Sequence, residues 1–241
     1  MSGRARLSLI IVYEYRESTS PLVSVVWRSY AEEDGSYVDA ANEYWGLAFG
    51  TGRESPFEAV LIGPSLTTRE LEMRAGDDNW GVEFRAHVFL HRVPKLGVLG
   101  EIRQLPTDGR FFELGGVRFP VPSYDTMEDL VAAMVGQGVL TGSPELARAL
   151  NGEDAGYSER QLQRRFNAEV GLGRKQVEQL QRARRAYALL QEGRSIADAA
   201  VEAGYSDQAH LTRSFRLIAG RTPASILAGD VDEFASRPTG V

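Results

Sequence analysis

Hydrophobic positions follow two different periods along this chain. Up to about residue 120 the apolar residues gather in short runs rich in valine, isoleucine and aromatic side chains, separated by turn formers such as Glu33-Asp34-Gly35 and Ala75-Gly76-Asp77-Asp78. That pattern belongs to strands. It predicts them over Leu7 to Tyr15, Pro21 to Tyr30, Tyr44 to Phe49, Phe57 to Ile62 and Trp80 to Leu90. A hairpin follows, with Phe111-Phe112-Glu113-Leu114 and Val117-Arg118-Phe119 flanking Gly115-Gly116, a two-residue loop suited to the left-handed dihedrals of a primed turn. After Pro120 and Pro122 the period changes. Tyr124 to Val135 places Met127, Leu130, Val131 and Met134 on one face of a helix, so a boundary falls near Pro122.

From Thr141 onward the pattern is helical, and it repeats. Ala155-Gly156-Tyr157-Ser158 recurs 48 residues later as Ala203-Gly204-Tyr205-Ser206. One extra residue in the second copy makes the offset 49, which pairs Leu162 with Leu211, Arg164 with Arg213, Phe166 with Phe215 and Gly171 with Gly220. Each copy has a glycine turn, a serine able to cap the next helix, and a Leu/Phe pair at i, i+4 that buries one face while arginine and polar residues fill the other. A helix-turn-helix requires this arrangement, because its second helix packs through one stripe and offers hydrogen-bonding side chains to the major groove. In the second copy Ser195 caps a leading helix running to Ala203, with Ala197, Ala199 and Ala200 permitting close approach. In the first, Ser143-Pro144 starts a shorter helix over Glu145 to Leu150, and Asn151 to Ala155 intervene before the turn. Between the copies, Val177, Leu180, Ala183, Tyr187 and Leu190 form one stripe of a long helix over Gln176 to Leu190 that fixes their separation; Arg182 and Arg185 lie on its other face.

The formal charge of −6 argues against a polyanionic partner until it is divided by region. Met1 to Gly156 carries 14 Lys+Arg against 23 Asp+Glu, a net of −9, whereas Tyr157 to Ile226 carries 12 against 7, a net of +5. A basic, arginine-rich block behind an acidic body suggests a polyanion-binding module attached to a separate partner domain. A solvated basic helix face is the plainer alternative.

Gly204-Tyr205-Ser206-Asp207-Gln208-Ala209-His210-Leu211-Thr212-Arg213-Ser214-Phe215, closed by Gly220-Arg221-Thr222-Pro223, resembles the C-terminal signature of AraC/XylS-type transcription regulators. Ser158-Glu159-Arg160-Gln161-Leu162-Gln163-Arg164-Arg165-Phe166 with Val170-Gly171-Leu172 resembles the same family's first helix-turn-helix, from which the Asn151 to Ala155 connection departs. In the N-terminal half, Tyr44-Trp45 and Leu61-Ile62-Gly63-Pro64 resemble the β-rich sensory domains attached to some members. The resemblance implies base reading by Arg160, Gln163, Arg164 and Asn167 in the first module and by Gln208, Ala209, Thr212 and Arg213 in the second. These are the positions left outward when Leu162, Phe166, Leu211 and Phe215 point inward. Arginine can grip guanine bidentately, glutamine adenine, and Ala209 or Thr212 can meet a thymine methyl. Arg165, Arg182, Arg216 and Arg221 are expected to hold phosphates. An arginine paired with a neighbouring acid is the competing reading for each.

Enzymatic readings find little to stand on. The chain has no cysteine, which excludes disulfides, thiolate metal sites and a cysteine nucleophile, and with them the thiolate alkyl acceptors of some family relatives. Glu83, His87 and His91 share a strand face, but four residues of strand span ~13 Å, too far to share one ion. Gly50-Thr51-Gly52 is too short for a phosphate loop. No catalytic residue, metal or cofactor is expected. The sequence therefore predicts an α+β protein with a β-rich sensory or dimerisation domain over 1–122, a linker helix over 123–140, a double helix-turn-helix domain over 141–227 and a flexible tail over 228–241. Trp27, Trp45 and Trp80 are candidates for lining a ligand pocket or dimer surface. The expected partners are double-stranded DNA, a small-molecule effector, the transcription machinery and a second copy of the chain. The longest apolar run, Leu7 to Tyr13, is far short of a membrane span, which predicts a cytoplasmic protein. The alternative function is a small-molecule-binding β-domain, enzymatic or not, whose helical module serves assembly.

Overall fold

Alternation of small or polar with large apolar residues builds a sheet with two unlike faces. The computed structural model describes residues 2–6, 11–52, 56–93 and 97–228. Among them the strands are β1 (Ser2–Arg6), β2 (Ile11–Arg16), β3 (Val23–Ala31), β4 (Gly35–Asp39), β5 (Gly46–Thr51), β6 (Glu58–Ile62), β7 (Arg69–Met73), β8 (Asp78–Phe84), β9 (Val88–Leu90), β10 (Ile102–Gln104), β11 (Phe111–Leu114), β12 (Val117–Pro120) and β13 (Leu140–Gly142). The helices are α1 (Met127–Gly136), α2 (Pro144–Leu150), α3 (Glu159–Arg165), α4 (Arg174–Gln191), α5 (Ile196–Glu202), α6 (Gln208–Ile218) and α7 (Pro223–Leu227), with a π-helical turn over Phe166–Val170. The chain is α+β, β-rich first and helical after.

An antiparallel seven-stranded sheet runs in the order β1-β2-β3-β8-β5-β6-β10. One face carries Leu47 and Phe49 of β5 and, just before that strand, Trp45, all at most 1 % exposed, beside Leu61 of β6 and Val82 and Phe84 of β8. The β11–β12 hairpin and α1 cover that face, inserting Phe112, Leu114 and Phe119 together with Met127, Leu130, Val131 and Met134. These are the four helix positions the sequence placed on one stripe. Each contributes about 1.5 to 3 kcal/mol of apolar burial. Gly115 and Gly116 take φ of +60° and +76°, the double left-handed turn expected of a Gly-Gly hairpin.

Several expectations need correction. Trp80 to Leu90 is not one strand: it breaks at Arg85–His87 into β8 and β9, and β9 leaves the large sheet to pair with β13. Leu7 to Ile10 of the first expected strand lie outside the described residues, as do 229–241 of the expected tail. β4, β7, β10 and β13 are short or mainly polar, and their periodicity gave no sign of them. The helix after Pro122 packs into the β core, and β13 pairs Leu140 with Leu90 and Gly142 with Val88.

The helical region does not close its core alone. Ala40, Ala41 and Ala86 belong to the same buried cluster as Leu162, Phe166, Leu211 and Phe215, and Leu99 packs against it. Residues 41–45 alternate between two roles. The Ala41 amide donates to the Ile218 carbonyl at 2.8 Å, Glu43 accepts from Arg184 at 2.8 Å, and the Trp45 indole donates to the Val170 carbonyl at 3.0 Å.

Candidate nucleic-acid interface

Each module is built from a capped helix and a buried Leu/Phe pair. In the first, the Ser143 hydroxyl accepts from the Leu146 amide and Pro144 sits in the opening turn of α2, where its missing N–H costs nothing. Ser158 and Gln161 form a reciprocal capping box at the start of α3. Leu162 is 5 % and Phe166 0 % exposed. Arg160, Gln163, Arg164 and Asn167 all lie on the exposed side, with Asn167 on the π-helical turn, and the Gln163 amide donates weakly to Asn167 at 3.4 Å.

In the second module the Ser195 hydroxyl accepts from the Asp198 amide to cap α5, and Ala199, Ala200 and Ala203 are buried where α5 meets its neighbours. Gly204 turns the chain at φ +83°. The expected serine cap of α6 is corrected. Asp207 caps it, accepting from the His210 amide at 2.6 Å, while Ser206 bonds Asp207 and His210 Nδ1, both at 3.1 Å. The one-residue insertion in the second copy explains the change, since the 49-residue offset aligns Asp207 with Ser158. That same amide bond, with Ser206 adding to it, holds the Asp207 carboxyl below its usual range. Leu211 and Phe215 are both 0 % exposed, and Gln208, Ala209 and Arg213 are exposed. Thr212 is half-buried and its hydroxyl donates to the Gln208 carbonyl of its own helix at 2.8 Å, which leaves its methyl as the outward group.

The arginines divide by environment. Among the described residues no hydrogen bond or ion pair engages Arg160, Arg164 or Arg213, so their guanidinium groups are available. Arg165 is already neutralised: it donates to Glu169 at 2.8 Å, lies 3.9 Å from Glu145 and sits 4.8 Å above the Tyr157 ring. Arg216 is exposed in the last turn of α6, and Arg221 is half-buried. Arg182 is half-buried with its guanidinium 5.8 Å from the Tyr205 ring. Burial raises the Tyr205 hydroxyl's pKa, and that hydroxyl bonds Ser214 at 3.1 Å.

The family model described as a helix-turn-helix domain matches residues 152–228. Those residues are an AraC-type helix-turn-helix domain. The match begins within the turn after α2 and ends at Ala228, so the AraC-type domain holds both exposed stripes and the helix between them. A protein built around this domain is a DNA-binding transcription regulator. No curated protein and no solved structure matches the chain. Among the described residues no helix is long and apolar enough to cross a membrane.

The N-terminal candidates separate in space. Trp27 borders a cavity on the far face of the large sheet. Trp45 is 0 % exposed and is committed to Val170. Trp80 donates its indole N–H to the Pro122 carbonyl at 2.9 Å and packs near Phe49 and Phe57; neither of these two borders the cavity. Glu83, His87 and His91 do not converge, and among the described residues no group of three or more His, Cys, Asp and Glu could hold a metal ion. His91 bonds Thr141 at 3.1 Å, and His87 lies half-buried against Gly142. Arg184 escaped the sequence reading, although a signal existed: it follows Leu180 by four and precedes Tyr187 by three, so it sits on the buried stripe of α4. An arginine there requires an acid from elsewhere in the fold, and that acid is Glu43.

Proposed function

We propose that the protein reads two segments of duplex DNA with Arg160, Gln163, Arg164 and Asn167 in one and Gln208, Ala209, Thr212 and Arg213 in the other, and that a small molecule bound by the β-rich region controls this activity in the cytoplasm. One observation carries the reading. With the β-rich region in contact with α4 and α6, seven of those eight side chains remain exposed and Thr212 half-exposed, which is what groove contact demands. Arg182, Arg216 and Arg221 are cast as phosphate contacts. Arg165, neutralised within the protein, would have to exchange its carboxylate partners for a phosphate. Support for control by the β-rich region comes from residues 41–45, which belong to its structure and hold three separate parts of the helical region.

The test is a gel-shift selection of the full chain against sheared genomic DNA, followed by footprinting of the selected fragment. Two protected grooves about one helical turn apart on one face of the duplex are expected. Failure to retain any fragment at low salt rejects the DNA reading, and protection of a single groove rejects the division between two modules.

A further inference from the structure

Along β5 and β8 the second face of the large sheet is nearly bare of bulk. Asn79, Gly81 and Glu83 of β8 alternate with Trp80, Val82 and Phe84, and Gly46 and Ala48 of β5 with Leu47 and Phe49, so the small and polar residues all fall opposite the hydrophobic core. A Cβ at position 81 would lie 2.7 Å from the Trp27 ring; glycine there lets that ring lie across the strand. The β4–β7 ribbon closes over this face with Tyr37, Leu71 and Met73, and a cavity of about 230 Å³ remains beneath it.

Four features of the cavity point to one ligand chemistry. Its lining holds the carboxylates of Asp39, Glu58, Glu72 and Glu83 and no lysine, arginine or histidine; Glu83 is only 6 % exposed, and Asp39 is paired with Arg69. Asn42 is 2 % exposed, and its buried Oδ1 has no hydrogen-bond partner among the described residues. The Trp27 indole N–H is likewise buried without an acceptor. Aromatic rings of Trp27 and Tyr37 border the same space, where they can face a positive charge; the ring of Tyr44, also in the lining, already lies 4.4 Å from the Arg184 guanidinium.

We propose that this cavity binds a small organic cation with N–H donors, an amine or guanidinium compound of roughly ten non-hydrogen atoms. An ammonium or guanidinium group donates to Glu83 and to the Asn42 oxygen through charge-assisted bonds, and a hydroxyl or carbonyl on the ligand accepts from Trp27. An anion would meet the carboxylates of Glu58, Glu72 and Glu83, with Asp39 already paired to Arg69 and no cation in the lining itself. An apolar ligand would leave the buried amide oxygen unmet. Placing the effector here rests on the proposed control by the β-rich region. Asn42 and Tyr44 face the cavity, while Ala41, Glu43 and Trp45 between and beside them hold α6, α4 and the π-helical turn, so a ligand pressing on one set displaces the other.

Full-length protein is screened by thermal shift against small amines and guanidines that include phenethylamine and agmatine, and the hits are titrated by calorimetry beside 2-phenylethanol as the uncharged analogue. Cations are expected to bind about tenfold or more tightly than the alcohol. Two variants report on the site. Glu83→Gln keeps the shape and removes the charge, and Ala48→Leu fills the cavity from its floor; each should lose binding by a similar factor while melting cooperatively. If no cation raises the melting temperature, if the alcohol binds as well, or if both variants bind unchanged, the site is rejected. DNA affinity measured with and without the bound cation keeps the two readings apart: cation binding with unchanged DNA affinity supports the site and overturns control through it.

Discussion

Arg184 of α4 donates to Glu43 at 2.8 Å across 141 residues of sequence, and its guanidinium lies 4.4 Å from the centroid of the Tyr44 ring. Both charged residues are buried, Arg184 at 8 % and Glu43 at 2 % exposure. The pair joins the helix between the two helix-turn-helix modules to the segment that borders the cavity.

A buried pair is costly to break but not necessarily favourable overall, because desolvation opposes the attraction. Arg184→Met should destabilise the chain by about 3 to 5 kcal/mol by stranding the Glu43 carboxylate. Arg184→Met combined with Glu43→Leu should recover most of that loss. Urea denaturation of the single and double variants decides it, and equal losses in both would mean the pair does not carry the contact.

Arg164→Ala and Arg213→Ala should each weaken binding to the selected site by about 1 to 3 kcal/mol, each relaxing preference at different base pairs. Arg182→Ala should weaken specific and random DNA alike. Footprint titrations on both DNAs separate the cases: an arginine whose loss affects them equally holds phosphate and reads no base.

Counterion release gives an independent measure. If the domain neutralises on the order of six phosphates, the slope of log affinity against log salt should be about −5 for the full chain. Charge alone decides this term, so the slope should persist on random DNA, and a slope near zero would leave the basic block without a role in binding.

His87 should impose an acid limit on stability. Burial, with Arg85 nearby, lowers its pKa from the ordinary 6.5, so the unfolded chain binds the proton more readily than the folded one. Its stabilising effect is therefore present above pH 6.5 and is lost as pH falls from there through the lowered folded value. His87→Gln should flatten that part of the pH–stability curve. Identical slopes in both proteins would assign the acid sensitivity to other groups.

The helical region was legible because its information is local. Ser143, Ser158 and Ser195 cap helices within three residues of themselves, and Leu162, Phe166, Leu211 and Phe215 define a buried stripe by spacing alone. Even the exchange of serine for Asp207 as a cap was written in the one-residue insertion. The β-rich region was legible where apolar, β-branched and aromatic runs or turn signals are strong, as in β3, β5, β6 and the Phe111 to Phe119 hairpin; β4 and β7, the latter with Arg69, Glu70 and Glu72 around a single leucine and a methionine, acquire strand form from pairing with each other.

Sequence by itself determined the two-part organisation, the duplicated helix-turn-helix and the stripe of arginine, glutamine and asparagine that faces outward, because capping, helical period and charge depend on neighbours a few residues apart. The tertiary structure alone decided that β8 ends at Phe84, that Arg184 meets Glu43, that Trp45 is spent on the Val170 carbonyl while Trp27 borders a cavity, and that Asn42 lies buried with an unmet oxygen. Each of these depends on groups more than a hundred residues apart or on strands that pair out of chain order. Burial and hydrogen bonding at such distances are set by how the elements pack, and no local period records it.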